Sequence, residues 1–588
     1  MTIDQTARPS DETRSFDLTE QPWLPVLLAD GAEALLSLRE VFARAEEIRR
    51  LAGDVPTQDF ALVRLLLAIA HDALDGPSDL DAWADLWAAG GTAFASVPEY
   101  LDRHRAGFDL LHPRTPFFQT AGLRTSNDEV FSLNRIIADV PNGDPFFTTR
   151  FPGADRITFA EAARWVVHAH AYDTSGIKTG VVGDPRAKNG KAYPQGVAWA
   201  GNLGGVLAEG RTLRETLLLN LIAADSRTGA AGPAAGVAAG ASGAGDRPAW
   251  RRPPCGPGAA ADDDLVSRPG GVRDLYTWQS RRLRLVSDDT GVYGVVLSYG
   301  DPLAQQDKQH VEPMTGWRRS QAQEKKLSRP LVYMPREHDP ARAAWRGLAA
   351  LIAPRGQDAG AGGDPPKTLC PGVVEWLARL STEGVLPRGM LIRVRTYGAV
   401  YGTQQSVIDE ITEDAVAMAV VLLGESGRAL GWAAVDAVAD AESAVTVLGD
   451  LATDLERASG GESESGRNTA RDAGFGVLDG LFRIWLGAIR EGDDPQQLRT
   501  AWQCIVRREV SRLGSELVAR AGDAAWEGRV LTDAKGSVWL NTASADLWFR
   551  SRLKKKLPRA YDSDPAAVPG PGPGVDADSA PDLPKVPA

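Results

Sequence analysis

The sequence predicts an α+β protein with a large mixed α/β N-terminal domain followed by a C-terminal four-helix bundle. The chain has 588 residues, enough for more than one domain. Strand-like and helical segments alternate over 16–403, whereas helical periodicity dominates over 404–560. The two ends, 1–15 and 561–588, are polar or rich in Pro and Gly, so we expect them to be disordered.

The first elements of the N-terminal domain are indicated by local signals. A short strand is expected to end at Leu28, and Ser37 or a neighbour to cap a short helix. The apolar run 59–71 is typical of a buried helix, in which His71 is expected to be a hydrogen-bonded core residue.

Further along, residues 226–272 are rich in Ala, Gly and Pro, which predicts a mobile low-complexity insertion. Strands are predicted at 275–278 with 282–285, at 292–297 and at 390–397.

Long helical segments with short connections are typical of a four-helix bundle. The predicted helices of the bundle are 407–423 with 430–455, then 468–489, 495–521 and 542–557.

Net charge is −12, which by itself argues against nucleic acid as a partner, but the charge is unevenly distributed. Three segments are basic, with net charges of +3 at 176–191, +4 at 308–329 and +6 at 550–559. Residues 408–465 carry a net charge of −11. Such a chain can bind a polyanion at one face and repel it at another, although each single cluster is equally consistent with a solvated surface.

The composition indicates a cytoplasmic protein. No uninterrupted apolar run reaches the roughly 20 residues of a membrane span, and the N-terminus lacks the order of a signal peptide. Cys255, Cys370 and Cys504 lie far apart, so neither a disulfide framework nor a cysteine zinc site is expected.

Residues 176–205 are rich in glycine and contain four basic residues. Glycine lets a backbone approach another polymer and expose its N–H groups, which suits a phosphate chain or a nucleic-acid groove. A Walker-type phosphate loop is not formed, because six residues separate Gly183 from Gly190 and Ala192 occupies the hydroxyl position. No catalytic constellation, metal site or cofactor is indicated elsewhere.

Gln404 and Gln405 precede the helix predicted from Val407, at the junction of the two predicted domains. Glutamine offers donors and acceptors without charge and can therefore contact base edges. An ordinary polar loop that caps the helix is the alternative.

Several segments, taken in order, carry a resemblance to a known family: Pro22–Val26, Ser37–Phe42, Phe108–Gln119, Ala171–Lys178, Glu209–Asn220 and Leu275–Ser280. The chain resembles the CasA family, the large subunit of the type I-E CRISPR Cascade complex. The resemblance implies a non-catalytic subunit that reads the protospacer-adjacent motif (PAM) in duplex DNA through the minor groove. It also implies that the subunit promotes duplex opening and R-loop formation and recruits the helicase–nuclease.

The resemblance assigns DNA-contacting residues. The family's wedge glutamine falls on Gln404, with Gln405 as second choice, and the family's glycine loop falls on the segment that contains Gly176, Lys178, Gly180 and Gly183.

Two further elements of the family are placed less directly. The minor-groove lysine aligns near Val292–Tyr293, so Lys308 or another basic residue is expected to take its place. The loop that contacts the crRNA and neighbouring subunits resembles the segment that contains Phe146, Phe147, Thr149 and Arg150. The four-cysteine zinc site of some members cannot form with three cysteines.

The implied partners are the crRNA-bound backbone, small and crRNA-end subunits, double-stranded target DNA and the helicase–nuclease, with no membrane. Two alternatives stay open: a phosphohydrolase that uses the Gly/Lys loop, and a purely structural scaffold subunit of a ribonucleoprotein complex.

Overall fold

The computed structural model describes residues 14–138, 154–228, 245–352, 365–462, 464–533 and 536–562. These residues form two compact units. Unit 1 comprises the chain up to Trp432 together with Leu486–Glu491, and unit 2 comprises Ala433–Trp485 and the chain from Gly492 onward. The mixture of helices and antiparallel strands confirms the predicted α+β class.

The strands of unit 1 pair in antiparallel sheets with the orders β2-β1-β3, β13-β12-β6 and β10-β9-β11, and in the hairpins β4-β5 and β7-β8. Their bounds are β1 (Leu24–Leu28), β2 (Glu33–Leu36), β3 (Ile48–Leu51), β4 (Lys178–Thr179), β5 (Lys191–Ala192), β6 (Gly205–Glu209), β7 (Arg281–Asp288), β8 (Gly291–Tyr299), β9 (Trp317–Arg319), β10 (Tyr333–Pro335), β11 (Thr368–Leu369), β12 (Leu391–Tyr401) and β13 (Ile408–Ala419).

The helices of unit 1 lie between these strands in the chain. Their bounds are α1 (Leu38–Ala43), α2 (Pro56–Ala73), α3 (Leu80–Ala88), α4 (Val97–His104), α5 (Phe159–Tyr172), α6 (Leu213–Asn220), α7 (Asp262–Val266), α8 (Val272–Tyr276), α9 (Gln321–Leu327) and α10 (Gly372–Thr382).

Helix α2 forms the centre of unit 1. Pro56 occupies its first position, where the missing N–H would have no partner in the helix in any case. Nearly every side chain from Thr57 to Asp72 is buried, and α2 packs against α5, α8 and β12. A helix surrounded on all sides by protein is expected to be apolar around its whole circumference, as the sequence predicts here.

Arg64 is a charged residue inside this apolar helix. Its guanidinium forms two hydrogen bonds with the Glu312 carboxylate, at 3.0 and 2.8 Å, and lies 4.2 Å from the centre of the Tyr276 ring. Trp199 Nε1 donates to the same carboxylate at 2.7 Å. Because a buried charge is tolerated only when it is paired and hydrogen-bonded, this pair ties α2 to the segment that precedes β9.

Several local predictions are confirmed. The predicted first strand is β1, and Ser37 caps α1 in a capping box with Glu40. His71 Nδ1 lies 3.1 Å from the carbonyl oxygen of Gly76, as expected of a hydrogen-bonded core histidine. The strand predicted at 292–297 lies within β8, and the strand predicted at 390–397 overlaps β12 in all but its first residue.

The prediction of a strand at 275–278 is wrong, because this segment contains the end of α8. The Asp246 carboxylate accepts a hydrogen bond from the N–H of Asp274 at 3.0 Å, and Asp274 in turn pairs with Arg268. This charged network holds the chain in a helical turn and outweighs the strand propensity of the aromatic and β-branched side chains.

The predicted insertion 226–272 lies partly outside the described residues. Its described part, 245–272, packs against the rest of unit 1: Trp250 Nε1 donates to the Tyr100 hydroxyl at 2.6 Å, and Arg251 pairs with buried Asp72 at 2.8 Å. For this part the structure differs from the expectation of a mobile insertion, because aromatic and ionic contacts fix it to α2 and α4.

The prediction of a helix at 407–423 is wrong. Residues 408–419 form β13, which pairs with β12 along almost its whole length. Val416, Met418 and Ala419 are buried, whereas Asp409, Glu410 and Glu413, nearer the end of the hairpin, are exposed. Unit 1 accordingly includes β13 and extends to Trp432. Local periodicity did not identify β13, because its apolar residues do not alternate with polar ones: Ile408 and Ile411 lie three apart and 415–423 is an unbroken apolar run.

Unit 2 is mainly helical. Its elements are α11 (Arg428–Ser459), which begins in unit 1, α12 (Ser465–Ala488), α13 (Pro495–Ala519), α14 (Asp523–Glu527), β14 (Arg529–Asp533), β15 (Gly536–Leu540), α15 (Thr542–Lys556) and α16 (Arg559–Asp562).

The long helices of unit 2 contact one another. Trp502 of α13 donates to the carbonyl of Ala437 in α11 at 2.8 Å, and its ring lies 5.2 Å from that of Phe482 in α12. Arg552 of α15 pairs with Asp454 of α11 at 3.0 Å. The predicted segments 430–455, 468–489, 495–521 and 542–557 are thus helices in contact, whereas the hairpin of β14 and β15 was not predicted.

We expect Arg64→Met to lower the free energy of unfolding by about 3–5 kcal/mol, because it leaves the Glu312 carboxylate buried without a counter-charge. Urea unfolding followed by tryptophan fluorescence measures the change. Arg49→Met, at an exposed position of β3, is the matched control and should change the midpoint little. Equal midpoints for the two variants would contradict the importance of the buried pair.

Candidate nucleic-acid interface

The glycine-rich segment forms a small hairpin of β4 and β5. Beyond the strands, the N–H of Gly180 donates to the carbonyl of Gly190 at 2.9 Å. A Cβ at Gly180 would lie 2.8 Å from both the carbonyl carbon of Gly190 and the nitrogen of Lys191. The two arms of the hairpin therefore approach at a distance that only glycine permits. We call residues 176–192 the glycine hairpin.

Neighbouring segments hold the glycine hairpin in place. The Tyr299 hydroxyl donates to the carbonyl of Gly176 at 2.6 Å. Gly183 has a φ of +90°, and a Cβ there would lie 2.8 Å from Cγ of Pro257. The backbone of the predicted glycine loop is thus held by neighbouring residues at Gly176 and at Gly183.

Lys178 does not present its charge to solvent. Its side chain is 9% exposed, and Nζ lies 2.7 Å from the Asp173 carboxylate, which also pairs with Arg281. The Tyr299 ring lies 5.5 Å from the same Nζ. This placement differs from the predicted direct contact of Lys178 with DNA, because its ammonium is already paired inside the protein. Lys178 anchors β4 instead.

Asp173 follows the last residue of α5 and connects three segments. Arg281 of β7 donates to the Asp173 carboxylate. It also donates to the backbone carbonyls of Asp173, Thr174 and Gly196, at 2.8–3.2 Å. Burial raises the pKa of the Asp173 carboxyl. The positive charges of Lys178 and Arg281 lower this pKa by more than burial raises it, so that the pKa lies below its ordinary value of 3.8. The carboxylate therefore stays charged and holds the hairpin against β7.

Gln404 and Gln405 form the tip of the β12–β13 hairpin, and do not precede a helix. Both have a φ of +56°, in the left-handed region, and both are exposed. The N–H of Gln405 donates to the carbonyl of Gly402 at 2.8 Å. Two successive non-glycine residues in this region are uncommon and indicate a constrained turn. We call 403–406 the glutamine turn.

The structure brings the glycine hairpin and the glutamine turn together. The N–H of Ser175 donates to the carbonyl of Gln405 at 2.7 Å, and a Cβ at Gly176 would lie 3.5 Å from Cβ of Ser406. Below the tip, the Tyr401 hydroxyl donates to the carbonyl of Tyr172 at 2.7 Å. Residues that are about 230 positions apart in the chain thus lie next to one another in unit 1.

The exposed part of this surface is basic and partly apolar. Lys188 and Lys191 exchange two backbone hydrogen bonds, at 2.9 and 3.0 Å, across an exposed turn. Ile177 and Tyr193 are 60% and 52% exposed. Arg186, in contrast, pairs with Asp184 at 3.0 Å. Of the basic residues counted from the sequence, Lys188 and Lys191 present their charges to solvent.

The other predicted site residues lie elsewhere. Lys308 lies in the loop before β9, where burial lowers its pKa, and no hydrogen bond or ion pair of the described chain links it to the glycine hairpin or the glutamine turn. The predicted contact loop with Phe146, Phe147, Thr149 and Arg150 falls outside the described residues.

Sequence reasoning missed the residues that position the site, above all Asp173, Arg281 and Tyr401. Their partners are distant in the chain, so no local pattern marks them. One local signal was available: Asn189 and Gly190 are the central residues of the tight turn between Lys188 and Lys191, with φ of +51° and +71°. The pair Asn-Gly is the strongest short-range indication of a tight hairpin turn.

The described residues contain neither a candidate metal site nor a helix that could span a membrane. No group of three or more His, Cys, Asp or Glu side chains is placed to hold a metal ion there. Among the helices formed by those same residues, none is both long and apolar enough to cross a membrane.

Residues 17–513 match the family model described as CRISPR-associated protein Cse1. The chain belongs to this family. The resemblance predicted from the ordered motifs is thereby confirmed.

Known relatives agree with this assignment. The crystal structure of Cse1 from Thermobifida fusca is 57% identical, with a TM-score of 0.84, covering 93% of this chain and 99% of that one. CasA/Cse1 of Thermus thermophilus is 28% identical over 344 residues, which are 58% of this chain and 61% of that protein. The chain thus matches about three-fifths of that curated relative.

A more distant structure shares the fold. A chain of a CRISPR RNA-guided surveillance complex has a TM-score of 0.60 at 17% identity, covering 86% of this chain and 98% of that one.

We expect Asp173→Asn to destabilise the protein by about 3–5 kcal/mol at pH 7, because Lys178 and Arg281 lose their counter-charge. Since the folded pKa of Asp173 lies below 3.8, the pair contributes stability above that pH and loses it as the pH falls through the folded pKa.

Urea midpoints measured at pH 7 and at pH 3 test this expectation. The difference between the original protein and Asp173→Asn should shrink on acidification, whereas Asp85→Asn, at an exposed position, should match the original protein at pH 7. A difference that stayed constant with pH would show that Asp173 acts through packing and not through its charge.

Proposed function

We propose that this chain is the large, non-catalytic subunit of a type I-E CRISPR RNA-guided surveillance complex, which recognises the PAM in duplex DNA and promotes duplex opening. The observation that carries the proposal is the meeting of the glycine hairpin and the glutamine turn, joined by the hydrogen bond from Ser175 to Gln405. The family and the shared fold of a surveillance-complex chain support it.

In this proposal the glycine hairpin contacts the duplex. Lys188 and Lys191 meet phosphates and supply affinity without sequence information. The backbone around Gly180 and Gly183 approaches the minor groove, whose pattern of donors and acceptors is degenerate. Tolerance of several PAM sequences follows from that degeneracy.

The glutamine turn acts as a wedge. Gln404 and Gln405 project at the end of two long paired strands, and their amides can replace hydrogen bonds that base edges lose when they separate. Unstacking a base step costs a few kcal/mol, so a wedge has to be held firmly. The β12–β13 ladder and the Tyr401–Tyr172 hydrogen bond hold this one.

The remaining contacts of the proposal follow the resemblance. Phe146, Phe147, Thr149 and Arg150 meet the crRNA end and neighbouring subunits, and Lys308 takes the place of the minor-groove lysine. The four long helices of unit 2 act as one bundle that meets other subunits of the cytoplasmic complex. The helicase–nuclease is recruited after R-loop formation, and the chain itself needs no cofactor.

A purely structural scaffold subunit is the second candidate. The two functions differ in DNA binding by a complex assembled with and without this chain, on duplexes that differ only in the PAM. PAM-dependent binding that appears only with the chain supports DNA recognition. Equal binding with and without it favours the scaffold.

We expect Gln404→Ala to slow duplex opening by the assembled complex about tenfold, while initial DNA capture stays within twofold, because the turn carries no charge. The rate of R-loop formation is followed with 2-aminopurine placed beside the PAM. Thr403→Ala, in the same exposed turn, is the matched control. An unchanged opening rate for both Gln404→Ala and Gln405→Ala would exclude the wedge.

We expect the double variant Lys188→Glu and Lys191→Glu to weaken DNA capture and to reduce the slope of log K against log[salt] by about 0.9 for each phosphate that the hairpin no longer neutralises. The comparison variant is Arg49→Glu with Arg114→Glu, which makes the same charge change at exposed positions outside the site. If both double variants lowered affinity equally, overall charge and not the glycine hairpin would be responsible.

A further inference from the structure

Arg135 lies at the end of the short helical turn Leu133–Arg135 and contacts the glycine hairpin from outside it. Its Nη1 donates to the Thr179 hydroxyl in β4 at 2.7 Å, and its guanidinium carbon lies 3.7 Å from the centre of the Phe131 ring. Within the described part of the chain Arg135 forms no ion pair with an Asp or Glu, and Glu129 acts on its charge from beyond ion-pair distance. The exposed guanidinium therefore has no direct counter-charge in the protein.

Arg135 differs in this respect from the cations that hold the glycine hairpin. Lys178 pairs with Asp173 at 2.7 Å, and Arg186 pairs with Asp184 at 3.0 Å. Of the five N–H donors of a guanidinium, the contacts of Arg135 within the described chain use one. Because the Phe131 ring covers a face of the guanidinium and not its edge, the other donors remain available to a ligand.

The Thr179 hydroxyl lies on the same face of the hairpin as Lys191, since the two residues are directly opposite each other in the pairing of β4 with β5. The next pair, Gly180 with Gly190, is hydrogen-bonded. Hydrogen-bonded pairs alternate with pairs that lack backbone hydrogen bonds and whose side chains lie closer together. The Cβ atoms of Thr179 and Lys191 are therefore about 4.5–5.5 Å apart. Lys191 is exposed and Ala192 is buried, so this is the outer face.

One strand, β8, holds both sides of this arrangement. Phe131, on which the guanidinium stacks, exchanges two backbone hydrogen bonds with Val295 of β8, at 3.0 and 2.9 Å. Tyr299 of β8 donates to the carbonyl of Gly176 in the glycine hairpin. Arg135 and the outer face are thus positioned before any ligand arrives, which lowers the entropic cost of binding.

We propose that Arg135, Thr179 and Lys191 bind one backbone phosphate of the target duplex, with the guanidinium and the ammonium on either side of it. The Thr179 hydroxyl accepts from Arg135, so its proton is free to be donated to a phosphate oxygen. A guanidinium edge matches phosphate geometry and can donate two parallel hydrogen bonds. This inference rests on the function proposed above and deepens it, because it fixes where the duplex backbone crosses the glycine hairpin.

Capture of a PAM-containing duplex by the assembled complex, measured at several salt concentrations, tests the inference. Arg135→Gln should weaken capture about tenfold and reduce the slope of log K against log[salt] by up to about 0.9, the contribution of one phosphate. Arg135→Lys keeps the charge and should keep the slope. Arg114→Gln, at an exposed position outside the site, is the matched control and should change neither quantity. A role limited to holding β4 would leave the slope of Arg135→Gln unchanged.

A double-variant cycle tests whether the two cations share the phosphate. Arg135→Gln combined with Lys191→Gln should weaken capture by less than the product of the single effects, because the second loss acts on a phosphate that is already displaced. Effects that multiply would overturn the shared phosphate. Thermal melting of the free chain monitors folding. If Arg135→Gln does not assemble, Thr179→Val decides: it should weaken capture about threefold, and the original affinity would overturn the site.

The remaining outcomes separate this inference from the function on which it rests. PAM-dependent capture together with an unchanged affinity and slope for Arg135→Gln overturns the phosphate site alone. Equal capture with and without the chain overturns the proposed function, and the phosphate site with it. Loss of crRNA from the Arg135→Gln complex, with an unchanged slope in complexes that retain it, would assign the guanidinium to RNA and also overturn the site.

Discussion

The geometry of the candidate interface depends on one buried carboxylate. Asp173 pairs with both Lys178 and Arg281, and thereby joins the end of α5, the first strand of the glycine hairpin and β7. The same region of α5 accepts the Tyr401 hydroxyl through the carbonyl of Tyr172. The position of the glutamine turn relative to the glycine hairpin is therefore set from beneath, by residues that do not reach the surface.

Ion pairs within the fold also reduce the positive charge that the segment 176–191 presents to solvent. The segment 176–191 has a net charge of +3 in the sequence. In the fold, Lys178 is paired inside the protein and Arg186 is paired with Asp184, so that Lys188 and Lys191 present the charge. A basic cluster in a sequence thus gives an upper limit for the charge that a polyanion meets, because some of its members stabilise the fold.

Elements whose signals are local could be predicted from the sequence. The helix cap at Ser37 and the apolar run of α2 each lie within about a dozen residues, and both predictions are confirmed. The strand β13 was not predicted, because the spacing of Ile408 and Ile411 and the apolar run 415–423 are typical of a helix and lack the alternation of a strand. In the candidate site, the glycine-rich segment and the glutamine pair were each named from the family pattern, whereas Asp173 and Arg281 were missed because their contact joins distant segments.

The paired strands behind the glutamine turn limit how this protein can evolve. Strand β12 is held on one side by β13 and on the other by β6, with a register shift only at Val400–Tyr401. Successive side chains along a strand point to opposite faces, so a one-residue insertion would invert every side chain beyond it. Insertions and deletions in this hairpin are therefore compatible with an unchanged tip only when two residues are added or removed on each strand. We expect the length of the β12–β13 hairpin to differ among related proteins by two residues on each strand. Length changes of a single residue are expected in the loops outside the paired strands.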